Sequence, residues 1–142
     1  MNIDIFSDPI CPWCYIGKKK LDGAIEAYPH DLDLQITWRC FQLNPDMPAE
    51  GMERKTYLNN KFGGETRAQA IYGSIQQAGA EVGIDFQFDA IKTTPNTMKA
   101  HRLLRWAQQE LPSKAESLMD NMFKAYFLLG QDLGDDGALS HI

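Results

Sequence analysis

Two cysteines three residues apart, in Cys11-Pro12-Trp13-Cys14, are the residues of this 142-residue chain whose type and spacing most directly carry chemistry. A thiolate is the nucleophile of thiol–disulfide exchange. A cysteine at a helix N-terminus faces unpaired backbone N–H groups and the positive end of the helix dipole. Cys11 in that position is expected to ionise below a free cysteine. One helical turn later, Cys14 comes within disulfide reach. The pair reads as an attacking and a resolving thiol: Cys11 opens a disulfide, and Cys14 releases the mixed intermediate. Pro12 suits the first helical position, where its missing N–H would have had no partner. Trp13 is expected to be a partly exposed platform that excludes water and touches substrate. The competing chemistry is half of a structural zinc site, which needs two more ligands. Cys40, His30, His101 and His141 form no second close pair, so no metal is expected.

Other residues are weighed against plainer roles. Lys18 follows Cys11 by seven residues on the same helical face and is a candidate thiolate stabiliser; the plain reading is a solvated lysine. Asn44, at the carboxyl end of a strand where parallel sheets place ligands, and Phe41 are candidate substrate contacts. Cys40 ends an apolar strand face and reads as a small buried core residue. His101, beside a leucine stripe, reads as packed or capping before it reads as a catalytic base. The Met and aromatic stripe at 118–129 reads as helix core.

The elements that must position these residues are legible from periodicity. Residues 2–6 form a short apolar run ended by Ser7-Asp8-Pro9. Residues 14–28 repeat apolar side chains at helical spacing up to Pro29. Leu32, Leu34, Ile36, Trp38 and Cys40 then alternate strictly with polar residues, which is a strand. Strand, helix, strand at this spacing makes a βαβ unit with parallel strands. After Asn44-Pro45-Asp46-Met47-Pro48 the pattern turns helical, with a break at Gly63-Gly64. The segment 84–88 alternates like a strand. Thr94-Pro95-Asn96-Thr97 reads as a helix start, and Pro112 as the first turn of another helix with Ser113 as a candidate cap.

Composition bounds the function. The chain has the length of one domain with a proper core. A formal charge of −5 argues against nucleic acid as a partner. No stretch approaches the ~20 apolar residues of a membrane span. Met1 leads into Ile3-Asp4-Ile5-Phe6 with no secretory pattern, so a cytoplasmic setting among reduced thiols is expected. Three cysteines are too few for a disulfide framework.

The segment from Asp8 to Lys18, with Phe41-Gln42-Leu43-Asn44-Pro45 and Asn96-Thr97-Met98-Lys99-Ala100-His101-Arg102-Leu103, resembles the DsbA-like thioredoxin-superfamily oxidoreductases, in particular the FrnE-like branch. The resemblance implies an α/β chain: a thioredoxin-like βαβ unit over residues 1–43, then an all-α inserted domain over 44–142, incomplete at its C-terminus. It implies a cytoplasmic thiol–disulfide oxidoreductase or isomerase with a redox-active disulfide, acting on disulfide-containing proteins or small-molecule thiols without a cofactor. The family also includes glutathione-dependent relatives, the 2-hydroxychromene-2-carboxylate isomerases and kappa-class glutathione transferases. These imply the alternative of a glutathione-dependent isomerase or transferase, with glutathione as co-substrate. They typically carry serine where Cys11 stands. The C-terminal β-hairpin with its cis-proline loop, and the final helix of the fold, have no candidate here. A third reading is therefore a truncated, inactive chain. Two strands alone leave exposed edges, so a homodimer or higher association is expected.

Overall fold

A computed structural model describes residues 1–30 and 33–142. The chain opens with strand β1 (Asn2–Ser7), helix α1 (Pro12–Glu26) and strand β2 (Gln35–Cys40). β1 and β2 are parallel, with Ile3 opposite Ile36, Ile5 opposite Trp38 and Ser7 opposite Cys40. Alternation sorts the two faces: Ile5, Ile36 and Trp38 turn to the core, while Asp4, Phe6 and Arg39 face outward. Arg39 Nη2 reaches both carboxylate oxygens of Asp4 across the outer face, at 3.1 Å. β2 is shorter than its polar–apolar alternation predicts. Leu34 precedes it, and Leu32 lies outside the described residues.

Helices follow. β3 (Met52–Glu53) leads into α2 (Arg54–Phe62), then α3 (Glu65–Ala80), β4 (Thr93–Thr94), α4 (Met98–Glu110), α5 (Pro112–Phe127) and a last turn, α6 (Asp136–Leu139). The break between α2 and α3 falls where two glycines are consecutive. Gly63 caps α2 at φ 72°, a left-handed conformation that side chains resist. β3 and β4 pair antiparallel over two residues, a ladder too short to leave a periodic signal. No further strand joins β1 and β2 among the described residues.

Two local expectations are corrected. Residues 84–88 are not a strand: the chain coils there into a single 3-10 turn at Phe88–Ala90. Their alternation has another cause, because Ile84 and Phe86 are both buried against α3 and α5. Phe86 packs edge-on against Phe127 at 5.2 Å, and the Gln87 N–H donates to the Phe127 carbonyl. Gly79 admits this ring, since a Cβ there would lie 2.5 Å from Phe86. Ser113 caps nothing. α5 starts at Pro112, which leaves Ser113 inside the helix, and no side chain caps the start.

The core is centred on α5. Met119, Met122, Phe123, Tyr126 and Phe127 are almost wholly buried, and Tyr15 of α1 stacks on Phe123 with centroids 4.9 Å apart. Burying each such side chain is worth roughly 1.5–3 kcal/mol, so α1 is anchored by this contact. α4 holds the sheet along the edge of β2. The Gln108 side-chain amide accepts from the Trp38 N–H at 2.7 Å and donates to the Trp38 carbonyl at 3.0 Å. The outer edge of β2 is therefore occupied at its centre. Among the described residues no helix is long and apolar enough to cross a membrane.

Candidate active site

β1 delivers the chain into a buried stretch, Ser7-Asp8-Pro9-Ile10, and Cys11 follows as the residue that opens α1. Its extended backbone (φ −92°, ψ 111°) turns the chain into the helix. The Cys11 carbonyl accepts from the N–H groups of Cys14 (3.1 Å) and Tyr15 (3.3 Å), and Pro12 sits in the first turn. Both cysteines are free thiols and half-buried, whereas Trp13 between them is 54% exposed.

The two thiols move each other's ionisation in opposite directions. The Cys11 thiol donates to Cys14, which draws the Cys14 ionisation down to about 6 against the cost of burial. The Asp8 backbone N–H and the Ser7 hydroxyl add to this, while the negative charge of Asp8 opposes it. Ser7 Oγ is buried and, among the described residues, has no hydrogen-bond partner. Cys11, holding the remaining proton for Cys14 in a half-buried place, is pushed up. The N–H groups of Cys14 and Trp13 pull it the other way. The acidity thus belongs to the two thiols together, as one titrating pair.

Behind the sulfurs lies a group that sequence reasoning passed over. Asp8 is fully buried. Its Oδ2 accepts from the Leu43 N–H at 2.7 Å and the Thr97 hydroxyl at 3.3 Å, and its Oδ1 from the Ile10 N–H at 3.4 Å. His101 Nε2, buried and without a hydrogen-bond partner, stands 3.7 Å from Oδ1. One carboxylate thus ties together the β1–α1 loop, the chain after β2 and the start of α4, as a buried acid must if it is to be solvated by protein. The available signal was the Ser-Asp-Pro turn directly before the cysteines. Its partner Thr97 is 89 residues away, which no local pattern shows.

The remaining candidates fall in different places. Lys18 is neither solvated nor turned to a thiolate. It is buried, and its Nζ reaches Asp22 (2.8 Å), Glu116 (3.1 Å) and Asp120 (3.9 Å). Burial opposes its charge, but Asp22 and Glu116 raise its pKa. Its ammonium ties α1 to α5. Cys40 is exposed, not part of the core. Partial burial and the charge of Asp8 push its thiol up. Phe41 is 53% exposed next to it. Asn44 is half-buried; its Oδ1 accepts from the Tyr57 hydroxyl at 3.3 Å, and its Nδ2 has no partner. Among the described residues no three His, Cys, Asp or Glu side chains gather as a metal site would require.

Comparison with known proteins agrees with this geometry. A family model described as a DSBA-like thioredoxin domain matches residues 2–142. The Bacillus subtilis (strain 168) protein YwbO, which bears the name uncharacterized protein, is 24% identical over all 142 residues. The crystal structure of a probable DsbA oxidoreductase from Streptomyces coelicolor superposes with a TM-score of 0.84 at 28% identity over 99% of the chain. The chain spans 64% of the length of the first and 60% of the second.

Proposed function

The chain belongs to the DSBA-like thioredoxin domain family, a family of thiol–disulfide oxidoreductase type, and from that premise we propose that it exchanges electrons with disulfides through Cys11 and Cys14. The observation that carries this reading is the placement of two half-buried free thiols one helical turn apart at the start of α1. Loss of the Cys11 proton leaves its sulfur a thiolate, with the N–H groups of Trp13 and Cys14 to receive its charge. Cys11 attacks a substrate disulfide, forming a mixed disulfide and expelling one substrate thiolate. Cys14 gives up its proton and attacks the Cys11 sulfur, which releases the second substrate thiolate. The substrate is reduced by two electrons, the pair becomes the Cys11–Cys14 disulfide, and two protons leave with the products. Run backwards, the same steps oxidise a dithiol.

In this reading Pro12 and Trp13 shape the approach to the sulfurs, and Phe41 and Asn44 line the way in for substrate. The substrate is a disulfide-bearing protein or small thiol, and the setting is cytoplasmic.

Turnover of a protein disulfide tests the proposal, with Cys11→Ser and Cys14→Ser beside the parent. Both substitutions are expected to abolish turnover, and Cys14→Ser to accumulate a mixed disulfide that Cys11→Ser does not form. Turnover retained by Cys14→Ser with glutathione would instead assign a glutathione-dependent enzyme. Absence of turnover in the parent chain would remove the catalytic reading.

A further inference from the structure

Arg54 carries a charge that the cysteine chemistry does not use. It is the first residue of α2 and only 9% exposed. Among the described residues no carboxylate lies within ion-pair distance of it. Its Nη1 reaches two hydroxyls, Thr94 Oγ1 at 3.3 Å and the Tyr126 oxygen at 3.5 Å. Its Nε is sealed from solvent and has no hydrogen-bond partner among the described residues. The guanidinium carbon sits 5.0 Å from the ring centroid of Tyr72 and 5.8 Å from that of Tyr57. Aromatic faces and neutral hydroxyls offset only part of the cost of burying an ion, and a counter-charge is the usual remainder.

The same side chain lines a cavity of about 330 Å³ between α2, α3 and the segment before β4. That volume is at the small end of ligand sites. Its apolar lining comes from Leu58, Tyr72, Phe88 and Ile91. Lysines and acids alternate around it, and the Glu53 carboxylate is already engaged by the Thr56 N–H and hydroxyl. Arg54 is thus the one buried charge of the lining, beneath a rim of exposed lysines and acids.

We infer that this cavity binds a small organic acid, its carboxylate on the Arg54 guanidinium and its apolar body against Leu58, Phe88 and Ile91. One buried cation answers one negative charge. A planar guanidinium matches a carboxylate, and the acids Glu53, Glu65 and Asp89 on the rim oppose a second negative charge. Neither Cys11 nor Cys14 lines the cavity, so binding here is separate from disulfide exchange.

Calorimetric titration of the full chain with 4-phenylbutyrate and its neutral analogue 4-phenylbutanamide tests the inference. The acid is expected to bind at least ~10-fold more tightly than the amide, the step a single charge-assisted contact provides. Arg54→Gln should bring the acid down to the affinity of the amide. Leu58→Trp, which keeps Arg54 and fills the cavity, should abolish binding of both. Cys11→Ser should change neither affinity, which separates this result from the fate of the oxidoreductase reading. If circular dichroism shows Arg54→Gln unfolded, the acid-to-amide ratio and Leu58→Trp decide. Equal affinity for acid and amide, no binding by the parent chain, or binding that survives Leu58→Trp overturns the inference. Inorganic phosphate binding as tightly as the acid overturns its assignment to a carboxylate.

Discussion

The sheet end of the molecule and its helical end are covered to very different degrees. Around α5, six aromatic and methionine side chains including Tyr15 are packed on every side. The β1–β2 sheet buries one face only; on the other, Phe6 is 68% exposed beside the Arg39–Asp4 ion pair. The cysteines sit on the seam, on a helix whose start belongs to the sheet and whose flank belongs to the helical core. This division teaches where each property resides. Stability comes from the helical side, and reactivity from a loop that the sheet end presents.

The comparison breaks most visibly in the core. Phe127→Ala should cost about 3–5 kcal/mol of unfolding free energy, measured by urea denaturation, because the ring stacks with Tyr15 and Phe123 and meets Phe86 edge-on. If the division holds, the thiol titration of the folded fraction stays where it was.

Smaller in energy but sharper in location is the response of the thiols to pH. Ultraviolet thiolate absorbance should show one ionisation near pH 6, with the second proton retained well above the range of free cysteine. A depressed thiol favours the folded reduced form above its unfolded pKa, and that advantage is lost as pH falls through about 6. Cys11, being raised, works the other way at high pH, so the reduced form should be most stable between the two. Asp8→Asn removes the charge that opposes the Cys14 thiolate and should move the first ionisation lower still. A shift upward would mean that the hydrogen bonds Asp8 organises matter more than its charge.

The smallest effect is expected on the bare face. Phe6→Ser should change stability by no more than about 0.5 kcal/mol, as exposed sites do. A loss of several kcal/mol would show that this face is covered in solution, and the concentration dependence of unfolding would say whether a second copy covers it.

What was legible in the sequence follows the same division. The βαβ unit, the paired cysteines at a helix start and the Gly63-Gly64 break are written in local spacing, and local spacing is what periodicity reports. Residues 84–88 misled because burial on one side of a coil mimics a strand when Phe86 must reach into α3. Lys18 and Asp8 were misjudged or missed because their partners lie far along the chain, on α5 and at the start of α4. Cys40 looked like core because alternation gives the face of a residue but not how far the cover extends along the strand. Arg54 shows the same limit, since only the assembled molecule reveals that a charged residue has no opposite charge beside it.

The Gln108 amide against Trp38 has a consequence of its own. A side-chain amide carries the donor and acceptor of one peptide unit, so Gln108 works as a strand one residue long, contributed by a helix. It lends the β2 edge a neighbour without lengthening the sheet. The Trp38 amide proton should therefore exchange with deuterium slowly, at the pace of helix α4 opening and not at that of a free margin. The sheet is in this sense three ranks wide at one point, and the third rank is a single glutamine.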